Sequence, residues 1–148
     1  MQREREVTVN DLPMWEIPMD DWGRVTASRA RWLPTCEIRP WGYWLVLGEG
    51  EGYKVKRIHV EPGRRLSYQS HSCRAEHWVV ISGTASCLID DTELIAGPGT
   101  TVDVPMQAKH RLANYGTEEL VIIEVQRGGY TGEDDIVRYE DDYGRIDA

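Results

Sequence analysis

The sequence predicts an all-β protein, built as a sandwich or a barrel of short strands. Turn sequences recur at short intervals between residues 53 and 126, at 61–63, 83, 90–91, 97–99 and 114–116. Short runs rich in β-branched and aromatic residues separate these turns, and no long segment shows the 3.6-residue period of an amphipathic helix. Several short strands at this spacing are typical of two packed sheets or a closed barrel.

Residues 1–37 differ in composition from the rest of the chain and are predicted to form an irregular N-terminal arm, with the main domain spanning 38–148. The arm has three prolines and three tryptophans without a steady period, the tryptophans being Trp15, Trp22 and Trp32. We expect these aromatic rings to pack on the main body or on a partner subunit.

The predicted strands are seven runs, at 53–60, 66–71, 78–81, 85–89, 100–104, 110–114 and 120–126. Side chains alternate along a strand, so Lys56 shares a face with Ile58 in the first run. In the last run Glu124 and Gln126 share a face with Ile122. After the glycines at 128–129, the acidic tail from 131 to 144 predicts a single turn or a short helix.

Length and charge exclude several classes of partner. The 148 residues suit one domain, and 17 Lys and Arg against 25 Asp and Glu give a net charge of −8. An acidic chain without a basic run is a poor binder of nucleic acid or of an anionic membrane. With no apolar leader, no membrane-spanning run and three scattered cysteines, we expect a soluble cytoplasmic protein.

Four polar residues are spaced so that they can meet at one metal ion. Gln69 and His71 lie on one face of a predicted strand, and a turn would fold Glu76 back beside His71. Far downstream, His110 begins another strand. A carbonyl oxygen, two imidazoles and a carboxylate suit one divalent ion, with Zn expected first and Mn, Fe, Co or Ni as alternatives.

These positions resemble the motifs of the cupin superfamily. Gln69-x-His71-x4-Glu76-x6-Gly83 resembles the first cupin motif with Gln in place of the usual first His, and residues 99–114 resemble the second. Six further strings resemble the type II mannose-6-phosphate isomerases, the cupin half of bifunctional mannose-1-phosphate guanylyltransferase/isomerase enzymes. They are RPWG at 39–42, YKVKRI at 53–58, RAEHW at 74–78, HRLAN at 110–114, EVQ at 124–126 and GEDDIVR at 132–138.

The resemblance covers roughly residues 38–145. It implies a cupin barrel (a double-stranded β-helix, or jelly roll) and a metal-dependent isomerase that interconverts mannose 6-phosphate and fructose 6-phosphate through an enediol, in polysaccharide biosynthesis. The apolar outer faces and edge strands of small cupin barrels lead us to expect a homodimer. No glycine-rich phosphate-binding stretch lies near the N-terminus, so the chain is not expected to make GDP-mannose by itself.

Three further residues are candidates for catalysis in this reaction. Arg74 lies in the turn between two predicted ligands, and Lys56 points to the barrel mouth if Ile58 faces the interior. These cations would hold a phosphate or polarise sugar oxygens. Glu124 is either an acid/base in the pocket or an ion-pair partner of a cation, and a hydroxide on the metal is the alternative base.

A second class of function is also consistent with the residues. The family usually has a run of His where this chain reads His71-Ser72-Cys73, and Cys73 is expected either to face the pocket or to be buried. The domain could therefore bind a sugar or a sugar nucleotide without isomerase activity. Two His and one carboxylate also suit an iron-dependent oxygenase.

Overall fold

The computed structural model describes residues 36–146, and within them the chain forms two antiparallel sheets. Their strands are β1 (Cys36–Arg39), β2 (Gly42–Gly50), β3 (Tyr53–Val60), β4 (Tyr68–Ser70), β5 (Arg74–Ser82), β6 (Ala85–Ile89), β7 (Thr92–Ala96), β8 (Thr101–Val104), β9 (His110–Ala113), β10 (Leu120–Gly128) and β11 (Val137–Glu140). One sheet has the order β1-β2-β3-β10-β5-β8, and the other has the order β11-β4-β9-β6-β7. The prediction of an all-β protein is confirmed.

The predicted strands are all present, with changes at their ends. The bounds of β3 and β6 match the prediction, and β8, β9 and β10 differ from it by one or two residues. β5 begins four residues earlier than predicted, because its start pairs with the end of β10 from Arg74 opposite Gly128 onward. The sequence pattern did not indicate β1, β2, β7 and β11.

The acidic tail is predicted from sequence to be a turn or a short helix, and the helix is wrong. A turn closes between Gly132 and Asp135, whose backbone N donates to the Gly132 carbonyl oxygen at 3.3 Å. The chain then extends as β11, which pairs with β4 and places Arg138 opposite Gln69. The open edge of β4 gives these residues backbone partners, and this pairing outweighs the local capping signals.

The N-terminal arm lies almost wholly outside the described residues, as do Trp15, Trp22 and Trp32. Its last two predicted residues, Cys36 and Glu37, belong instead to β1. β1 is held by antiparallel pairing to β2, with Glu37 opposite Trp44.

Gly83 shows why the motif carries glycine between β5 and β6. Its φ of 80° lies in the left-handed region, and an added Cβ would meet the Glu119 carbonyl oxygen at 2.6 Å. The turn therefore needs both the backbone freedom and the missing side chain of glycine.

The hydrophobic core is formed by the inward faces of the two sheets. Core residues occupy every second position along β3, β5 and β10, because successive side chains of a strand point to opposite faces. They include Ile58, Val60, Val80, Leu120 and Ile122. Leu112 and Cys87 meet them from the second sheet. Polar residues replace this apolar set toward one end of the same strands, and the candidate site lies there.

Replacing Ile122 with alanine should lower the free energy of unfolding by about 2–5 kcal/mol, because its fully buried side chain would leave a cavity. Ile123 is the matched control, since it follows on β10 but faces outward and is only partly buried. Its replacement with alanine should cost less than half as much. Urea denaturation measures both, and equal losses would contradict the assigned faces of β10.

Candidate metal centre

Three predicted ligands meet at one point between the sheets. His71 follows β4, Glu76 lies on β5 and His110 begins β9. One ligand atom from each lies within 4.8 Å of the others. All three residues are at most 3% exposed, so the cluster is shielded from bulk water.

Backbone carbonyl oxygens fix the orientation of both imidazoles. The Nδ1 of His71 donates to the Asp135 carbonyl oxygen at 2.6 Å, and the Nδ1 of His110 donates to the Ala108 carbonyl oxygen at 3.0 Å. Each Nε2 therefore faces Glu76, at 3.1 Å for His71 and 3.4 Å for His110. Metal-binding histidines are commonly held in this way, with the second ring nitrogen donating to a carbonyl.

The donor set fits a divalent cation. Within residues 36–146 the buried Nε2 of His110 makes no hydrogen bond, and a buried polar atom without a partner is costly. Burial lowers the pKa of His110, which favours the neutral imidazole that a metal ligand needs. Gln69 lines the same pocket and pairs with His110 across β4 and β9. Its part as a fourth ligand stays a prediction.

Arg74 lies against the ligand atoms as predicted, although it begins β5 and does not lie in the preceding turn. It is 5% exposed, and its Nη2 is 3.2 Å from the Nε2 of His71. Its Nε donates to the Glu76 carboxylate at 3.2 Å, and its Nη1 donates to the Gly132 carbonyl oxygen at 3.4 Å. A metal ion would compete with this guanidinium for the same lone pairs.

Glu76 and Glu124 are two buried carboxyl groups whose pKa values shift in opposite directions. Burial, and then the charge of Glu76, raise the pKa of Glu124 well above its ordinary value. Burial acts on Glu76 in the same direction, but the interaction with His110 and the hydrogen bonds from His71 and Glu124 outweigh it and hold its pKa well below the usual range. Of the two, Glu124 therefore binds a proton more strongly than Glu76 does.

Lys56 faces the pocket, which confirms the face predicted for it. It is 3% exposed, and its Nζ lies 3.8 Å from the ring centroid of Trp44. The ammonium also pairs with the Glu133 carboxylate. The pairing of β10 with β3 places Glu124 directly opposite Lys56. A carboxyl group and an ammonium group are therefore neighbours on this wall of the pocket.

The segment 131–138, which we call the strap, forms another wall of the pocket. Glu133, Ile136 and Arg138 line the pocket from this side. The carbonyl oxygen of Thr131 accepts from Lys54 Nζ at 2.8 Å. The string at 132–138 contains both Glu133 and Arg138. Because a run of charges is typical of a solvated surface, the sequence alone did not indicate Glu133 as a pocket residue.

The environment of Cys73 differs from the predicted one. The sequence predicts that it faces the pocket or is buried, but it is exposed. Its backbone N, like that of Ser72, donates at 2.9 Å to the carboxylate of Asp135. In the turn after β4 the backbone of Cys73 is thus held by Asp135, while its side chain is exposed.

Replacing Asp135 with alanine should lower the free energy of unfolding by about 1–2 kcal/mol and weaken metal binding about tenfold, because the carboxylate docks the strap that holds His71. Burial raises the pKa of Asp135, but the two backbone donors outweigh it and lower that pKa. The stabilisation is therefore present above the ordinary aspartate pKa and lost as pH falls through the lowered one.

Urea denaturation at pH 7 and at pH 3, with zinc titration of the folded protein, measures these effects. Asp134→Ala is the matched control, since that neighbouring carboxylate contacts the exposed Tyr130 hydroxyl. Equal losses in the two variants would show that Asp135 does not dock the strap.

Several curated proteins are similar in sequence to this chain. The alginate biosynthesis protein AlgA of Pseudomonas aeruginosa is 50% identical over 111 residues, which cover 74% of this chain and 23% of that protein. The xanthan biosynthesis protein XanB of Xanthomonas campestris is 50% identical over 118 residues, covering 80% and 25%. The mannose-1-phosphate guanylyltransferase ManC of Salmonella typhimurium is 48% identical over 108 residues, covering 73% and 22%. The chain thus spans about a quarter of the length of these relatives.

Solved structures confirm the predicted cupin fold. The cupin domain of Cnp3 from Schizosaccharomyces pombe matches with a TM-score of 0.57 and 11% identity, over 58% of this chain and 64% of that chain. The capsular polysaccharide assembling protein CapF of Staphylococcus aureus matches with a TM-score of 0.64 and 17% identity, over 79% and 37%. Across residues 36–146 no helix has the length and apolar character needed to cross a membrane.

The family is shown by a match that covers most of the chain. Residues 30–141 match the family model described as mannose-6-phosphate isomerase C-terminal. This range contains the three clustered ligands, the candidate catalytic residues and the strap. The resemblance drawn from the motifs is therefore confirmed, and the chain belongs to the mannose-6-phosphate isomerase C-terminal family of cupin domains.

Proposed function

We propose that this domain interconverts mannose 6-phosphate and fructose 6-phosphate, with a divalent metal held by Gln69, His71, Glu76 and His110. The observation that supports the proposal most is the set of side chains that line one pocket. Gln69, Glu76 and His110 line it, and His71 adjoins them with its Nε2 3.1 Å from Glu76. Two buried cations, Lys56 and Arg74, and the buried carboxyl group of Glu124 line the same pocket. Family membership supports the same reaction.

The reaction needs proton transfers and no oxidant. In the forward direction the C2–H bond breaks and its electron pair forms the C1–C2 double bond, while the π bond of the C1 carbonyl breaks and O1 gains a proton to give the enediol. The electron pair of the double bond then forms the C1–H bond, while O2 loses its proton and becomes the C2 carbonyl oxygen. The proton that O1 gains is thus balanced by the one that O2 loses. A site for this chemistry needs a group that takes and returns a proton, and positive charge near O1 and O2.

The residues of the pocket divide into these roles. The metal would supply Lewis-acid stabilisation of the developing charge on the sugar oxygens. Glu124 takes the proton from C2 and returns it at C1, since it is the buried pocket carboxyl outside the ligand cluster. The other pocket carboxyl outside the cluster, Glu133, is partly exposed and paired with Lys56. Burial excludes water from Glu124, so the proton is not lost to solvent between the two steps.

Lys56 and Arg74 neutralise the negative charge of the substrate. Both ammonium and guanidinium groups bind phosphate and oxyanions well. Glu133 now holds Lys56 and lies 3.8 Å from the Nζ of Lys54. A phosphate group that binds to Lys56 has to displace this carboxylate, which is 41% exposed and can move into solvent.

The test is a coupled isomerase assay on the full chain of 148 residues. The protein is stripped with a chelator and then assayed with mannose 6-phosphate alone and after addition of Zn, Mn, Fe, Co or Ni. We expect fructose 6-phosphate only with metal present. A folded, metal-loaded protein without turnover would contradict the proposal, and sugar-phosphate binding in that protein would favour a binding cupin. Oxygen uptake with iron would favour an oxygenase.

A further inference from the structure

Gln126 is a buried amide that the proposed reaction leaves unused. It is 1% exposed, and among the described residues neither its Nε2 nor its Oε1 has a hydrogen-bond partner. It lines the same pocket as Gln69, Glu76 and His110. Buried polar groups are almost always paired, so an amide with both ends unpaired indicates a partner that binds there.

The position of Gln126 in the sheet directs its side chain into the pocket. It lies near the end of β10, on the same face as Ile122 and Glu124. Register places it opposite Glu76 on β5 and opposite Lys54 on β3. The amide therefore lies between the metal centre and the cations near the strap.

The chemistry of the amide limits what the partner can be. A metal ion would bind only the Oε1, and a phosphate would accept only from the Nε2. A hydroxyl group both donates and accepts, so neighbouring hydroxyls of a sugar can satisfy the two ends together. An apolar side chain of similar volume would fill the position without leaving unpaired atoms, so the amide points to recognition of such a ligand.

We propose that Gln126 binds hydroxyl groups of the sugar and determines which sugar phosphates the domain accepts. The inference rests on the proposed function and adds a specificity residue to it. A site built to hydrogen-bond a hydroxyl strongly rejects an analogue that lacks it, because its own polar groups are then buried without partners. Gln126 thus discriminates between sugars that the metal and the cations alone would bind alike.

The experiment measures binding rather than turnover, using the zinc-loaded full chain. Calorimetry gives the affinities of mannose 6-phosphate and of its 3-deoxy and 4-deoxy analogues for the wild type, Gln126→Met and Gln126→Glu. We expect the wild type to bind one or both analogues at least tenfold more weakly than mannose 6-phosphate. Gln126→Met should bind mannose 6-phosphate about ten- to a hundredfold more weakly and no longer distinguish it from that analogue.

Two further readouts separate recognition from a structural role. The metal content of Gln126→Met should equal that of the wild type, and its melting temperature without ligand should be equal or higher, because two unpaired atoms are removed. Val125→Thr, on the opposite face of β10, should keep the wild-type discrimination. Gln126→Glu keeps an acceptor but loses the donor, so it should show a partial loss and serves if the Met variant does not fold.

The outcomes that overturn the inference are distinct. Discrimination between analogues that persists in the Met variant would show that Gln126 does not read a hydroxyl. Loss of zinc from the variant would make Gln126 a metal ligand instead. If the wild type binds mannose 6-phosphate and its deoxy analogues equally, the inference alone fails. If the wild type binds no sugar phosphate, the proposed function fails and the inference fails with it.

Discussion

Glu76→Gln should weaken metal binding severely while the protein remains folded. The carboxylate is the one negative charge in the ligand cluster, and it lies within 3.4 Å of both imidazole Nε2 atoms. Glutamine has nearly the same shape, so the core can keep its packing, but its neutral oxygen cannot replace the charge that a carboxylate brings to the metal. We expect the affinity for zinc to fall by more than about a hundredfold, and turnover to fall with it.

Metal analysis and thermal melting measure this result. Zinc should raise the melting temperature of the wild type and leave that of Glu76→Gln unchanged, because a ligand stabilises only a state that binds it. The matched control is Glu93→Gln, an exposed glutamate on β7, which should bind zinc like the wild type. A Glu76→Gln protein that keeps its zinc would show that the clustered residues are not the ligand set.

Glu124→Gln should lower kcat by about a hundred- to ten-thousandfold with the metal still bound, because general acid–base groups contribute rate factors of this size. Glutamine keeps the volume of the buried side chain but cannot carry the proton between C2 and C1. The expected signature is a loss in kcat with little change in KM, since binding of the sugar uses other groups.

Steady-state kinetics and metal analysis on one preparation distinguish the alternatives for Glu124. Glu119→Gln is the control, since Glu119 pairs with His59 at the surface, away from the pocket. Unchanged kcat in Glu124→Gln would place the base elsewhere. Loss of zinc would mean that this carboxyl supports the metal site rather than moving a proton.

The parts of the fold that the sequence predicted are those with local signals. β3 and β6 lie between clear turn residues and have strong alternation, so their bounds could be read from the chain. The cluster of His71, Glu76 and His110 could be predicted from motif spacing, and the inward face of Lys56 from its parity with Ile58.

The remaining parts depend on neighbours that are distant in sequence. β11 forms because β4 presents an open edge, and nothing in residues 137–140 alone reports that edge. Glu133 pairs with Lys56 across 77 positions of the chain. The unpaired state of Gln126 depends on what β3 and β5 place beside it. Pairing and burial of this kind depend on tertiary contacts, which local sequence propensity does not predict.

The position of β10 has a consequence for how the protein folds. β10 lies between β3 and β5, which both precede it in the chain, so the six-stranded sheet cannot close until residues 120–128 are in place. Contacts between such distant segments demand loop closure before they stabilise anything, and folding is then expected to be slow, on the order of milliseconds to seconds. Until then β3 and β5 both expose unpaired edges to other chains.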